Sequence, residues 1–135
     1  MSFEELTHPA DVRIRVRSPS LPGLFSEAAR GMFQVMYGGC SGEDVEVTFP
    51  LEADDQDALM HDFLSELLYL SDAQGIVFCS FEVRIENTSL HATVRGIPFD
   101  PAHHGGGREI KGVSYSGLRI VKEEESYCMD VIFDV

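Results

Sequence analysis

Val12, Ile14 and Val16 alternate with Arg13, Arg15 and Arg17 in VRIRVRS, a period of two that predicts a strand over 12–18 with one buried face. The next stretch changes period. Leu21, Leu24, Phe25, Ala28, Ala29, Met32, Phe33 and Met36 recur at i, i+3 and i+4, the spacing of an amphipathic helix. Ser20 is placed to cap that helix and Gly38–Gly39 to end it. Alternation returns in VEVTFPLEA, with Val45, Val47, Phe49 and Leu51 facing inward. Pro50 has no N–H to give to a ladder, so this strand belongs at a sheet edge or a bulge. Leu59, Met60, Phe63, Leu64, Leu67 and Leu68 then form the apolar face of a second helix. Asp54, Asp55 and Asp57 crowd its N-terminus, where the helix dipole favours negative charge, and Gly75 follows its end.

The rest of the pattern is strand-like. VFCSFEVRIE and SLHATVRG predict a hairpin around Asn87–Thr88, and REIKGVSYSGLRIVK changes phase at Gly112 and Gly117, which predicts bends or bulges there. In the final segment Tyr127, Met129, Val131, Phe133 and Val135 share one face, while Cys128, Asp130, Ile132 and Asp134 share the other. At the start, FEELTHPAD is short and extended, with Pro9 as a breaker. The sum is an α+β fold over 1–135: a single domain of six to seven mostly antiparallel strands with two amphipathic helices packed on the sheet. No repeat, low-complexity tract or linker interrupts it.

Charge changes the picture more than composition does. With a formal net charge of −13 the chain repels phosphate backbones, so broad nucleic-acid binding is excluded, whereas a basic protein or a cation suits it. No apolar run reaches the roughly 20 residues of a membrane helix. The N-terminus has neither the basic start nor the apolar core of a signal peptide. Cys40, Cys79 and Cys128 are odd in number and widely spaced, which predicts free thiols, two of them in strand-like runs. Together these features give the expectation of a cytoplasmic protein.

Candidate chemistry is sparse. Asp11 precedes the first alternating strand and Asp134 closes the last. If those ends meet, Asp11, Asp134 and the terminal carboxylate of Val135 form a cluster of hard oxygens suited to calcium or magnesium. The alternative is a solvated chain end and a turn residue. Asp100, His103 and His104 have metal-ligand chemistry, but adjacent histidines and the glycines of HHGGG fit a solvated loop better. Gly105–Gly107 is not a phosphate loop, since no helix follows. Ser114 and Ser116 lack a nucleophile-elbow context. Cys40 has no neighbouring base in the sequence. His61, beside Asp62, fits an ordinary helix surface. Lys111, one of two lysines, reads from its alternation as an exposed surface residue.

Taken together, HPADVRIRVRS, LFSEAARGMFQVMY, LLYLSDAQGIVF, VRGIPFDPAHH, EIKGVSYSGL and the terminal VIFDV resemble the archease family, in the family's order and over nearly the whole chain. The resemblance implies a small, acidic, non-enzymatic activator of RtcB-type RNA ligases. Such an activator promotes GTP-dependent guanylylation of the ligase and multiple turnover in tRNA splicing or RNA repair. It implies a divalent metal ion at Asp11 and Asp134, to which Val135 can add its carboxylate, and a functional role for Lys111. RNA would be reached only through the ligase. The match departs from the family at Pro9, where threonine is usual, and at Ser116, where the usual histidine is absent. Two rival readings remain: a metal-dependent hydrolase and a chaperone-like interaction module.

Overall fold

The computed structural model describes residues 1–8, 11–104 and 107–135, with side chains for all of these except 5–8 and 103. Pro9 and its role as a breaker, the glycines Gly105 and Gly106, and the His103 side chain therefore lie outside the described residues.

Eleven elements follow one another among the described residues: β1 (Ser2–His8), β2 (Asp11–Ser18), α1 (Leu21–Tyr37), β3 (Val45–Glu52), α2 (Gln56–Gln74), β4 (Ile76–Glu86), β5 (Ser89–Pro98), α3 (Pro101–His104), β6 (Gly112–Val113), β7 (Val121–Lys122) and β8 (Tyr127–Asp134). The fold is α+β and every strand pair is antiparallel. The strands form two sheets rather than one. One runs β1-β2-β8-β6 with β7 also on β8, and the other runs β3-β5-β4. The first gathers both ends of the chain; the second is built from its middle.

Local chemistry sets the helix limits. The Ser20 hydroxyl accepts from the Gly23 amide at the start of α1, and Gly38, at φ 79°, ends it. The Asp55 carboxylate accepts from the Ala58 amide at 2.7 Å to cap α2, and Gly75 closes that helix in the left-handed region. Asn87 turns the β4–β5 hairpin at φ 56°. Pro50 sits where its missing donor does least harm, because β3 pairs only with β5 and is an edge strand.

The apolar faces predicted from period meet between the sheets. Val12, Ile14 and Val16 of β2 and Phe133 and Val131 of β8 are buried beneath α1, while α2 packs on β3, β4 and β6. α1 packs on β2 of the first sheet and β4 of the second, and so bridges them. Gly31 allows the close approach, since a Cβ there would lie 2.7 Å from Ile14 Cδ1. Phe63 of α2 touches Phe25 of α1 and Phe49 of β3, with ring centroids 5.6 and 6.3 Å away.

One expectation is refined and one is corrected. The bend expected at Gly117 is a turn, at φ 76°, that joins two strands of two residues each, and Gly112 opens the first of them. The bulge lies elsewhere, in β4, where Cys79 is the extra residue between Phe78 and Ser80. Its partner Gly96 fits there because a Cβ would come within 2.1 Å of the Val77 carbonyl oxygen. Finally, the cysteines are not all free. Cys40 and Cys79 form a disulfide with Cα atoms 5.5 Å apart, which leaves Cys128 as the free thiol. The odd count concealed one pair and removes the cysteine argument for a cytoplasmic location.

Phe63→Ala removes the ring that ties α1, α2 and β3 together. It is expected to cost about 3–5 kcal/mol of unfolding free energy, read from urea denaturation followed by circular dichroism.

Candidate functional site: a carboxylate pair at one sheet end

The site begins with register. In the antiparallel pair β2·β8, Val12 lies opposite Phe133 and Asp11 opposite Asp134. Val12 and Phe133 are wholly buried, so alternation sends the two aspartates to the outer face of the sheet. Directly opposed residues hold their Cβ atoms about 4.5–5.5 Å apart. The two acids furthest apart in the sequence reading are thus immediate neighbours.

β6 completes the edge. Gly112 pairs with Asp134 from the other side, and the Lys111 amide donates to the Asp134 carbonyl oxygen at 2.7 Å. Asp134 sits between Asp11 and Gly112. A Cβ at Gly112 would lie 3.7 Å from Asp134 Oδ2, so the glycine leaves that flank of the carboxylate uncovered. Lys111, Asp134 and Val135 are exposed; Asp11 is half-buried. Three separate parts of the chain meet here, two of them held by main-chain pairing.

The register sets two carboxylates side by side at this edge. Like charges directly opposite on a sheet repel. Further along the same face the charges are matched: Arg15 Nε donates to Asp130 Oδ1 at 2.9 Å. That hydrogen bond, and then the carboxylate's charge, raise the Arg15 pKa above its ordinary value. The arginine stripe is therefore spent on neighbouring acids at Arg15 and, more loosely, at Arg17, which lies 3.9 Å from Glu123.

The donor set at Asp11 and Asp134 is carboxylate oxygen, the chemistry of hard cations such as calcium and magnesium. Among the described residues no group of three His, Cys, Asp or Glu side chains is arranged to hold a metal.

The strand carrying this edge is held from below. His61 of α2 contacts the Val113 carbonyl oxygen through Nε2 at 3.0 Å and Asp62 Oδ1 through Nδ1 at 3.2 Å. Both partners are acceptors, so the ring's tautomer selects which of them it donates to. Tyr115 stacks edge-on against the same ring. Burial, and then the carboxylates of Asp55, Asp57, Asp62 and Asp54, raise the Tyr115 pKa above its ordinary value. His61 is no idle surface residue. Its partner lies 52 positions away, and no local pattern announces it.

The second candidate cluster is not a solvated loop at its C-terminal member. His104 is buried, with its ring against Tyr37 and Phe99. Its Nδ1 accepts from the Asp100 amide at 2.9 Å, while Asp100 Oδ1 accepts from the Ala102 amide. The aromatic cluster closes one end of an open groove of about 950 Å³ that runs past Tyr69 to Lys111 and Gly112. Ser114 and Ser116 have no paired base among the described hydrogen bonds.

With this geometry in place, comparison with known proteins is specific. Residues 3–135 match the archease protein family (MTH1598/TM1083). The chain is 34% identical to protein archease of Pyrococcus furiosus over 87% of each chain. It is likewise 34% identical to an archease-like protein of Drosophila melanogaster, over 100% of this chain and 91% of the relative. The solution structure of protein 1598 of Methanobacterium thermoautotrophicum superposes with a TM-score of 0.86 at 28% identity, over 99% of both chains. A crystal structure from Thermotoga maritima, described as an archease and possible chaperone, shares the fold with a TM-score of 0.69 at 20% identity, over 98% of this chain and 96% of that one. A two-sheet α+β domain whose first and last long strands pair is thus a known architecture, and this chain belongs to the archease family.

Two outcomes are expected. In a chelated, metal-free buffer Asp134→Asn relieves the cross-strand repulsion and raises stability by about 0.5 kcal/mol, measured by urea denaturation. His61→Ala frees the Val113 carbonyl, costs about 1 kcal/mol and speeds amide exchange around Val113; His61→Gln, which keeps a donor, loses less.

Proposed function

We propose that this protein is a non-catalytic activator of an RtcB-type RNA ligase, promoting the ligase's GTP-dependent guanylylation and its multiple turnover in tRNA splicing or RNA repair. Family membership supports the partner. The observation that carries the site is the register that sets Asp11 against Asp134 and pins the Lys111 amide to Asp134.

In this reading Asp11 and Asp134, with the terminal carboxylate of Val135, hold a calcium or magnesium ion. Bound there, the ion would supply positive charge beside the two carboxylates. The protein's own residues do the rest. The β2·β8 pairing fixes the two acids on a rigid sheet rather than on a loop, and Lys111 adds an exposed lysine whose backbone is bonded to Asp134. The acidic surface favours encounter with a basic, RNA-handling enzyme, because complementary fields raise association rates. An acidic protein can then approach bound nucleotide phosphates through the one edge where positive charge is concentrated. Among the described residues no paired nucleophile and base supports a hydrolase. The chaperone-like reading draws on the Tyr69 and Phe99 rings exposed along the groove, and a cytoplasmic location follows from the ligase role.

The deciding measurement is multiple-turnover RNA ligation by a cognate ligase with and without this protein. Stimulation specific to the ligase supports the activator; its absence with every cognate ligase favours the rivals. Lys111→Ala is expected to abolish stimulation while leaving the circular dichroism spectrum unchanged. Calcium or magnesium is expected to raise the melting temperature of the wild type in proportion to the logarithm of its concentration above the dissociation constant. The Asp11→Asn, Asp134→Asn double variant should show no such rise.

A further inference from the structure

The Cys40–Cys79 disulfide lies at a mechanical junction. Cys79 is the extra residue of the β4 bulge, and Cys40 lies two residues beyond Gly38, which ends α1. Both cysteines are half-buried and line a cavity of about 200 Å³ that also exposes Gly38, Gly39, Gln34 and Arg30. Small thiols can therefore approach the bond, and a guanidinium lining the cavity favours the thiolate form that carries out exchange.

The last turn of α1 is also what the Lys111 loop rests on. The Arg108 amide donates to the Val35 carbonyl at 3.1 Å. Gly107 lies so close that a Cβ there would come within 1.8 Å of the Met36 carbonyl oxygen. Three residues on, the Lys111 amide is bonded to Asp134. One side of the α1 C-terminus is stapled to β4, and the other supports the chain entering the carboxylate edge.

We infer that Cys40–Cys79 is a reversible thiol–disulfide exchange site whose oxidised form holds the C-terminus of α1, and through it the 107–112 segment, in place. The co-reactant is a small thiol of the glutathione class. Its thiolate attacks one sulfur of the pair, and the S–S bond breaks. The displaced sulfur leaves as a thiolate and takes a proton from water. A second thiol releases the mixed disulfide, so two electrons and two protons enter the protein and the reductant leaves as its own disulfide. Reduction unties residues 38–44 from the bulge and loosens the support under Gly107 and Arg108. The consequence for ligase activation rests on the function proposed for Lys111; the mechanical coupling does not.

The test uses the full chain in glutathione buffers of graded poise. Thiol counting after denaturation should give one free thiol at the oxidised end and three at the reduced end, with peptide mapping showing Cys40 joined to Cys79. Hydrogen exchange in 107–112 should be roughly tenfold faster in the reduced protein. In hydrogen exchange the Cys40→Ser, Cys79→Ser variant should match the reduced wild type at every poise, with one free thiol throughout, and Cys128→Ser should show the wild-type exchange difference, with no free thiol at the oxidised end and two at the reduced end. Three free thiols throughout, or equal exchange in 107–112 at both ends, overturns the inference. Ligation assays at each poise separate the two readings. No stimulation in either redox state, with the exchange difference intact, removes the activator and leaves the switch.

Discussion

The pairing of β2 with β8 is the interaction on which the rest of the molecule depends. It joins residues 11–18 to 127–134 in unbroken register. By burying Val12, Ile14 and Val16 beside Met129, Val131 and Phe133 it supplies the floor on which α1 packs. Because side chains alternate along a strand, a slip of one residue would bury the acids and expose the apolar set. The hydrophobic face therefore fixes the register, and the register fixes the carboxylates. Core and site are two faces of one ladder, and the position of Asp11 against Asp134 is enforced by the burial of their neighbours.

Much of this was legible. Period two in VRIRVRS and MDVIFDV correctly assigned faces to both strands, because each has one wet and one dry side. Ser20, Asp55, Gly38 and Gly75 marked helix limits because capping is a local matter. Pairing partners were not legible: nothing in the composition of either segment says that the first strong strand and the last lie together, and only the family resemblance implied a shared site. The split into two sheets, the His61 bridge to Val113 and the Cys40–Cys79 bond escaped for the same reason, since each is a contact between distant parts of the chain. One missed feature did leave a trace. Gly96 interrupts an otherwise regular strand, the mark of a bulge or a close backbone approach, and the bulge at Cys79 is opposite it.

The activator proposed for this archease needs no catalytic residue of its own. What it requires is a stiff edge that presents charge. Main-chain hydrogen bonds hold Lys111 and Asp134, α2 braces β6 through His61, and the α1 C-terminus carries the incoming loop. The exposed groove beside this edge supplies contact area that two carboxylates and a lysine alone would lack.

The antiparallel register also decides which end of the sheet faces outward for use. Ser2 lies opposite Arg17, which lies opposite Cys128, six positions from Asp134. Six residues of strand place Ser2 roughly 20 Å from the carboxylate pair. A fluorophore or fusion attached at Met1 would therefore leave the edge unobstructed, whereas the same group attached after Val135 would stand directly on it. Met1 and the carboxylate pair thus lie at opposite ends of the sheet, set by the direction in which β1 returns along β2.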